Sequence, residues 1–578
     1  MAVMTEENSR QGGAGSAIRT ETVCFWIAAL FLFFYALGYR SLWGSEGRWA
    51  EVAREMILSG EWFHPAINGV PYFDKPLFSY WVIAIPSVLT GILNEFVARA
   101  PGAMAGLAAL WATVSLGRLL FSERAAYVAG WLLLLSWGML FWSRTACADI
   151  ENVAFIMLAV LWYWNHRESP GFYSYLVFYI ICFAGAHFKG LPAAVLPALI
   201  CLPDLLRSRP WSRHITLAHL AALLIGVIFY LLPFLYAAIT SDNYGQNGLY
   251  LVFRENILRF FNAFDHREPF YAYFYYVPML FLPWIPLLSG AILHAVRHYG
   301  RADYRFRWLV EATLTVFLVY TLSDSRRSYY ILPILPFCAL MTGAFVADAG
   351  GVRRWKDRAF FMQFCILAAV AAVEFCAPFI LPIVEKITGI VPPDGLGISF
   401  MATGGVALAF LIAAWRKQGH TGEVRHDIPI EGLIAAGLIL FAGFFCWQQN
   451  VLEDYRYGKR FVLDARMELN GTGPENIGIG KDMASLFFYL GYDSPVKILD
   501  TPDKIKDFFA KGDVRYLVLQ RRMLSQEFSF LPNDMKNSPF MEMPLYPGQK
   551  DRRKQLLMWK LQGPVDTGPV KGVGDSRP

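Results

Sequence analysis

Long apolar runs separated by short polar turns fill this chain from Val23 to about residue 448. Runs near the length of a bilayer crossing read as membrane-spanning helices. They fall at Val23–Gly38 and near 97–119, 125–142, 150–165, 172–187, 190–205, 215–239, 272–295, 308–323, 330–348, 359–384, 397–415 and 429–448. Leu77–Leu93 is also apolar, but short and interrupted by Pro86. Basic clusters mark alternate turns: Arg118 and Arg124, Arg207 to Arg213, Arg297 to Arg307, Arg353 to Arg358, and Arg416 with Lys417. Such clusters identify the cytoplasmic side. Parity then works only if Leu77–Leu93 does not cross, which predicts about thirteen crossings, an internal N-terminus and an external C-terminus. Loops 41–81, Glu255–Pro269 and Asp324–Tyr329 fall outside.

Two regions break the pattern. Residues 41–81 are too charged for hydrocarbon, yet rich in aromatics. Trp49, Val52, Ala53, Met56 and Ile57 recur at helical spacing, with Glu51, Arg54 and Glu55 pointing elsewhere. That predicts a helix lying flat in the membrane interface, with Ser45 as N-cap and Glu46 in its first turn. After about Gln449 the period changes. ENIGIG, SPVKILD, VRYLVLQ and QLLMWKLQ read as strands, with helices at MASLFFYLGY and TPDKIKDFFAKG. The fold class is therefore mainly α: a polytopic membrane protein of about 13 transmembrane helices, interfacial helices in its external loops, and a small C-terminal α/β domain. The expected divisions are a disordered cytoplasmic 1–20, a transmembrane domain 21–448, an external α/β domain 449–562 and a flexible tail 563–578.

Composition agrees. Hydrophobic residues make up 56% of 578 and charged ones only 17%, against roughly a quarter in soluble proteins. The net charge of +6 sits in short inter-span loops and does not indicate nucleic acid. The eight cysteines lie in or beside apolar segments, with no CxxC spacing and no disulfide framework.

SEGRWAEVAREM followed by GEWFHPAINGVPYFDKPLFSYW resembles the first external loop of the polyprenyl-phosphate-sugar-dependent membrane glycosyltransferases. That family includes the lipid A aminoarabinose transferase and the protein O-mannosyltransferases. The resemblance implies inverting transfer of a sugar from undecaprenyl phosphate to a lipid, glycan or protein acceptor, at the external face of a bacterial inner membrane. Ser45 stands where the aminoarabinose-type pattern has Asp, leaving Glu46 as the remaining carboxylate of that pair.

Such a transfer needs a carboxylate near the acceptor, cations for the leaving phosphate and a groove for the lipid. Glu46 and Asp149 are the catalytic candidates, with Arg48 as a partner to either. The plainer alternatives are that Glu46 caps a helix and that Asp149 pairs with Arg144. Lys75, Lys189 in a Lys-Gly turn, Arg259, Arg326, Arg327 and Tyr330 are the candidate phosphate or substrate contacts. Snorkelling lysines and an interfacial Arg/Tyr belt are the alternatives. Phe253, Ile257, Phe260, Phe261 and Phe264 predict a second interfacial helix. Asp74 with Glu255 could hold a divalent ion, although two carboxylates do not make a metal motif. The rival class is a transporter or lipid flippase, for which Glu374 is the suspicious mid-span charge. A non-catalytic assembly protein is a third reading.

Overall fold

The computed structural model describes residues 20–73, 75–207, 213–240, 250, 254, 258–262, 267–348, 353–417, 429–480, 483–546 and 548–565. Up to residue 451 it is built almost wholly of helices: α1 (Thr20–Phe34), α2 (Glu46–Ser59), α3 (Phe78–Thr90), α4 (Glu95–Leu120), α5 (Glu123–Leu134), α6 (Trp137–Ser143), α7 (Asp149–His166) and α8 (Phe172–Lys189) lead the series. Caps fix where they begin. Asn94 accepts from the Val97 amide at the start of α4, and Ser122 from the Ala125 amide at the start of α5. Among the described residues, six helices are long and apolar enough to cross a membrane: α4, α8, Leu217–Thr240, Trp355–Phe375, Leu396–Lys417 and Ile430–Val451.

The expected single span at 125–142 is broken. Helices α5 and α6 meet at a bend of 62°. A second break lies at Leu282–Trp284, between helices Ala272–Leu280 and Ile285–His298. The two interruptions satisfy each other: the Trp284 indole donates to the Leu135 carbonyl at 2.8 Å, and the Trp137 amide to the Leu282 carbonyl at 2.9 Å. Backbone groups freed inside an apolar bundle must find partners, and here each break supplies the other's.

The C-terminal region forms a five-stranded sheet in the spatial order Lys497–Ile498, Ile477–Ile479, Arg515–Gln520, Leu556–Leu561, Met541–Glu542. Its strands are β3 (Ile477–Ile479), β4 (Lys497–Ile498), β5 (Arg515–Gln520), β6 (Met541–Glu542) and β7 (Leu556–Leu561), after a two-residue hairpin in the first long loop, β1 (Ala66–Ile67) and β2 (Val70–Pro71). Helices Ala484–Leu490 and Pro502–Ala510 make the crossovers that keep β3 parallel to β4 and β5. The expected strands and both helices are present.

Helix α2 forms over the expected residues, and Trp49, Val52, Ala53 and Met56 are buried as its apolar stripe requires. Two details differ. The Ser45 side chain makes no cap bond; the Glu46 carboxylate accepts from the Trp43 amide at 3.1 Å instead. And Glu51, expected to face away, is fully buried, its oxygens taken by Arg54 at 2.7 and 2.8 Å. The C-terminal unit packs along the helix, while Arg48 stays exposed. A Cβ at Gly47 would lie 2.6 Å from the Ser485 backbone nitrogen, so only glycine permits this approach. Arg54 also donates to the Tyr492 carbonyl at 2.8 Å, and the Asn68 amide at the hairpin tip exchanges two 2.8 Å bonds with the backbone of Val496. The first loop and the C-terminal unit thus share one core, in which Trp49, Met56 and Tyr80 meet Phe487, Tyr489 and Val518.

Candidate functional site

Segment Arg144–Ala148 turns α6 into α7 and is pinned at two points. The Arg144 guanidinium donates to the carbonyls of Leu32, Phe33 and Tyr35 around the end of α1, closing that helix's orphan acceptors. The expected alternative, Arg144 paired with Asp149, is not what forms. The Ala146 amide donates to Glu46 at 2.9 Å. Between these anchors lies Cys147, whose thiol burial pushes well up. Asp149 then opens α7, 7% exposed, in an ion pair with Lys189.

Lys189 ends α8 because Gly190 adopts φ +112°, ψ −172°, a conformation open to glycine alone. Its ammonium lies 4.8 Å from the ring centroid of Tyr330 and 5.1 Å from that of Tyr329. Arg259 approaches the same ring: Nη2 donates to the Tyr330 hydroxyl at 3.2 Å, and Nε to the Ser325 hydroxyl at 3.3 Å. Lys75 is near enough for its charge, like that of Arg259, to act on Lys189. Burial pushes the Tyr329 phenol up to about 12, so it stays a hydrogen-bond donor at neutral pH. Five segments far apart in sequence thus bring Lys75, Asp149, Lys189, Arg259 and Tyr330 together.

The other predicted residues lie differently. Glu46 is fully buried against Arg99, whose Nε and Nη2 reach its two oxygens at 2.7 and 2.8 Å. Arg48 donates to the Tyr72 hydroxyl at 3.1 Å on the exposed side of α2. Arg326 holds backbone, donating to the Glu268 carbonyl at 2.6 Å and the Thr321 carbonyl at 3.0 Å. Arg327 closes the turn through its carbonyl, which accepts from the Tyr330 amide at 3.1 Å. Asp74 and Glu255, and with them most of the 253–264 helix, fall outside the described residues; Arg259–Phe261 is helical. Among the described residues no three His, Cys, Asp or Glu side chains gather as a metal site. Glu374 accepts from the Thr403 hydroxyl at 2.7 Å, and Gln448 donates to that hydroxyl at 2.9 Å, which links three late helices. A cavity of about 200 Å³ opens at the seam between α2 and the C-terminal unit, lined by Arg54, Glu55, Tyr492 and Asp493, and includes none of Lys75, Lys189 or Arg259.

Arg99 is the residue that sequence reasoning passed over. Its signal was a lone arginine in the otherwise small and apolar ARAPGAMAG, which a membrane helix tolerates only with partners.

A buried carboxylate paired with Lys189, with Arg259 and two phenols close by, can take a proton next to a group that holds an anion. An undecaprenyl phosphate-α-4-amino-4-deoxy-L-arabinose arabinosyl transferase of Pseudomonas fluorescens is 28% identical over 374 residues, 61% of this chain and 63% of its own. One from Sodalis glossinidius is 29% identical over 371 residues, 61% of this chain and 64% of its own. The chain therefore spans a little under two thirds of the length of these relatives. In fold it is similar to the crystal structure of ArnT from Cupriavidus metallidurans bound to undecaprenyl phosphate, with a TM-score of 0.71 over 93% of this chain and 97% of that one at 18% identity. This is the fold of a multi-helix membrane protein. The profile of the Alg9-like mannosyltransferase family matches residues 58–383, more than half of the sequence, and the chain belongs to that family.

Proposed function

We propose that the protein transfers a sugar from undecaprenyl phosphate to a lipid, glycan or protein acceptor, with inversion, at the external face of a bacterial inner membrane. The observation that carries this reading is the convergence of Lys75, Lys189, Arg259 and Tyr330 beside Asp149. The acceptor hydroxyl attacks the anomeric carbon, the bond from that carbon to the phosphate oxygen breaks, and the acceptor proton passes to Asp149. The carrier phosphate leaves with the bonding electrons. Lys75, Arg259 and the Tyr330 hydroxyl meet the charge that develops on it. Lys189 bridges the two halves, paired with Asp149 and placed over the Tyr330 ring. The family, and the donor named for the arabinosyl transferases above, support a polyprenyl-phosphate sugar. About thirteen crossings, the number that the pattern of apolar runs and basic turns predicts, would put these loops on one external face.

Binding of undecaprenyl phosphate to purified variants tests the reading. Lys75→Ala and Arg259→Ala should each weaken binding about tenfold or more, the scale of a lost charge-assisted contact. Arg259→Lys should recover only part, because the planar fork is gone. Asp149→Asn should bind the carrier normally while losing about 100-fold in transfer. Unchanged affinity in both alanine variants would remove the phosphate site from this place.

A further inference from the structure

We infer that Arg99 and Glu46 form a positioning node for Asp149, so that Glu46 acts on transfer through the backbone of residues 144–148 and not by touching substrate. The inference rests on the role given to Asp149 above.

Hydrogen-bond stoichiometry carries the first half. An ionised carboxylate offers about four acceptor directions. At Glu46 all are taken: Oε1 by Arg99 Nε at 2.7 Å and the Ala146 amide at 2.9 Å, Oε2 by Arg99 Nη2 at 2.8 Å and the Trp43 amide at 3.1 Å. Arg40 approaches Oε1 as well, at 3.5 Å. With the side chain fully buried, no lone pair is left to receive an acceptor proton. Arg99 is equally committed. Its remaining N–H groups donate to the carbonyls of Leu37, Arg40 and Ser41 at 2.9, 2.6 and 3.0 Å, which with the two bonds to Glu46 uses all five donors.

Connectivity carries the second half. The node ties the turn after α1, the start of α2 and the body of α4 to one amide, that of Ala146, three residues before Asp149. Arg144 fixes the same segment to the end of α1 and to the Phe445 carbonyl at 3.5 Å. Asp149 leads α7 with no freedom upstream, and its side chain is thereby delivered to Lys189. Loosening the node should move Asp149 while leaving Lys75, Arg259 and Tyr330 where they are.

Cys147 supplies a readout that needs no substrate, since it sits inside the pinned segment and is a free thiol. The full chain is placed in lipid nanodiscs and treated with N-ethylmaleimide, and alkylation is read peptide by peptide. Arg99→Lys keeps the charge but loses the fork. It should speed Cys147 alkylation about tenfold, slow transfer from undecaprenyl-phosphate-linked aminoarabinose to lipid A by about tenfold or more, and leave undecaprenyl phosphate affinity within about twofold. In the Asp149→Asn background the same substitution should slow transfer no further, because residues acting through one group are not additive. Glu46→Gln, which preserves shape, should behave like Arg99→Lys and serves if that variant fails to fold. Lost transfer with unchanged Cys147 reactivity would overturn the inference, as would additive losses in the double variant. Failure of the wild-type chain to bind undecaprenyl phosphate would strike the proposed function instead and leave the Cys147 comparison standing.

Discussion

Substituting Asn68 should loosen the C-terminal unit from the first long loop, and the size of the effect can be worked out. The Asn68 side chain is 9% exposed, accepts from the Val496 amide at 2.8 Å and donates to the Val496 carbonyl at 2.8 Å. Its backbone sits at φ +52°. Asn68→Gly removes both bonds but keeps the turn geometry, since glycine enters that region freely. Two buried bonds are worth about 1 kcal/mol each net, and stranding the Val496 groups adds to that, so about 2–3 kcal/mol is expected. That is roughly a 30- to 150-fold shift in the local opening equilibrium. Asn68→Ala should add about 1 kcal/mol more for a Cβ in the left-handed region. Hydrogen exchange over residues 493–499 in nanodiscs reads this directly, because the Val496 amide is itself one of the two donors. Protection at Val496 should fall in the order wild type, Gly, Ala. If Val496 were as protected in Asn68→Gly as in wild type, the hairpin would not be what holds this edge.

Two further outcomes are expected. Gly190→Ala forces a side chain into φ +112°, which should cost about 1–3 kcal/mol and turn Lys189 away from Asp149, lowering transfer while α8 stays helical by circular dichroism. Single cysteines at Gly60 and Asn470, introduced into a cysteine-free chain, should both react with an impermeant maleimide from the external side of intact spheroplasts; labelling of either only after lysis would reverse the assignment of Leu77–Leu93 as non-crossing.

Elements governed by local pattern were legible in the sequence. The stripe from Trp49 to Met56 required α2, and the short apolar runs in VRYLVLQ and QLLMWKLQ formed β5 and β7 as read. What escaped was set by distant partners. Nothing local in LLLLSWGML announces a 62° bend, because the bend is stabilised by Trp284 and Leu282 nearly 150 residues away. Glu51 read as an outward charge because its cover is the C-terminal unit, a contact that helical periodicity within 46–59 cannot show. The site divided along the same line. Asp149, Lys189, Arg259 and Tyr330 were named from motifs, and the structure brings them together. The proposed distinction between Glu46 and Asp149 rests on Arg99, which belongs to no motif and whose one sequence signal is its isolation in ARAPGAMAG.

The lengths of chain between partners also set an order of assembly. Arg99 follows Glu46 by 53 residues, and Ala146 follows it by 100, so the charged frame can close soon after the first helices are made. Val496 follows Asn68 by 428 residues. At roughly 5–20 residues per second, synthesis of that interval takes on the order of 20–90 s. Throughout it the hairpin and the Glu51 face of α2 have no cover, and α2 is held only by its contacts with the early helices. The frame around Asp149 can therefore close before the cover exists, and a ribosome stalled in the later spans would leave the frame built and the hairpin uncovered.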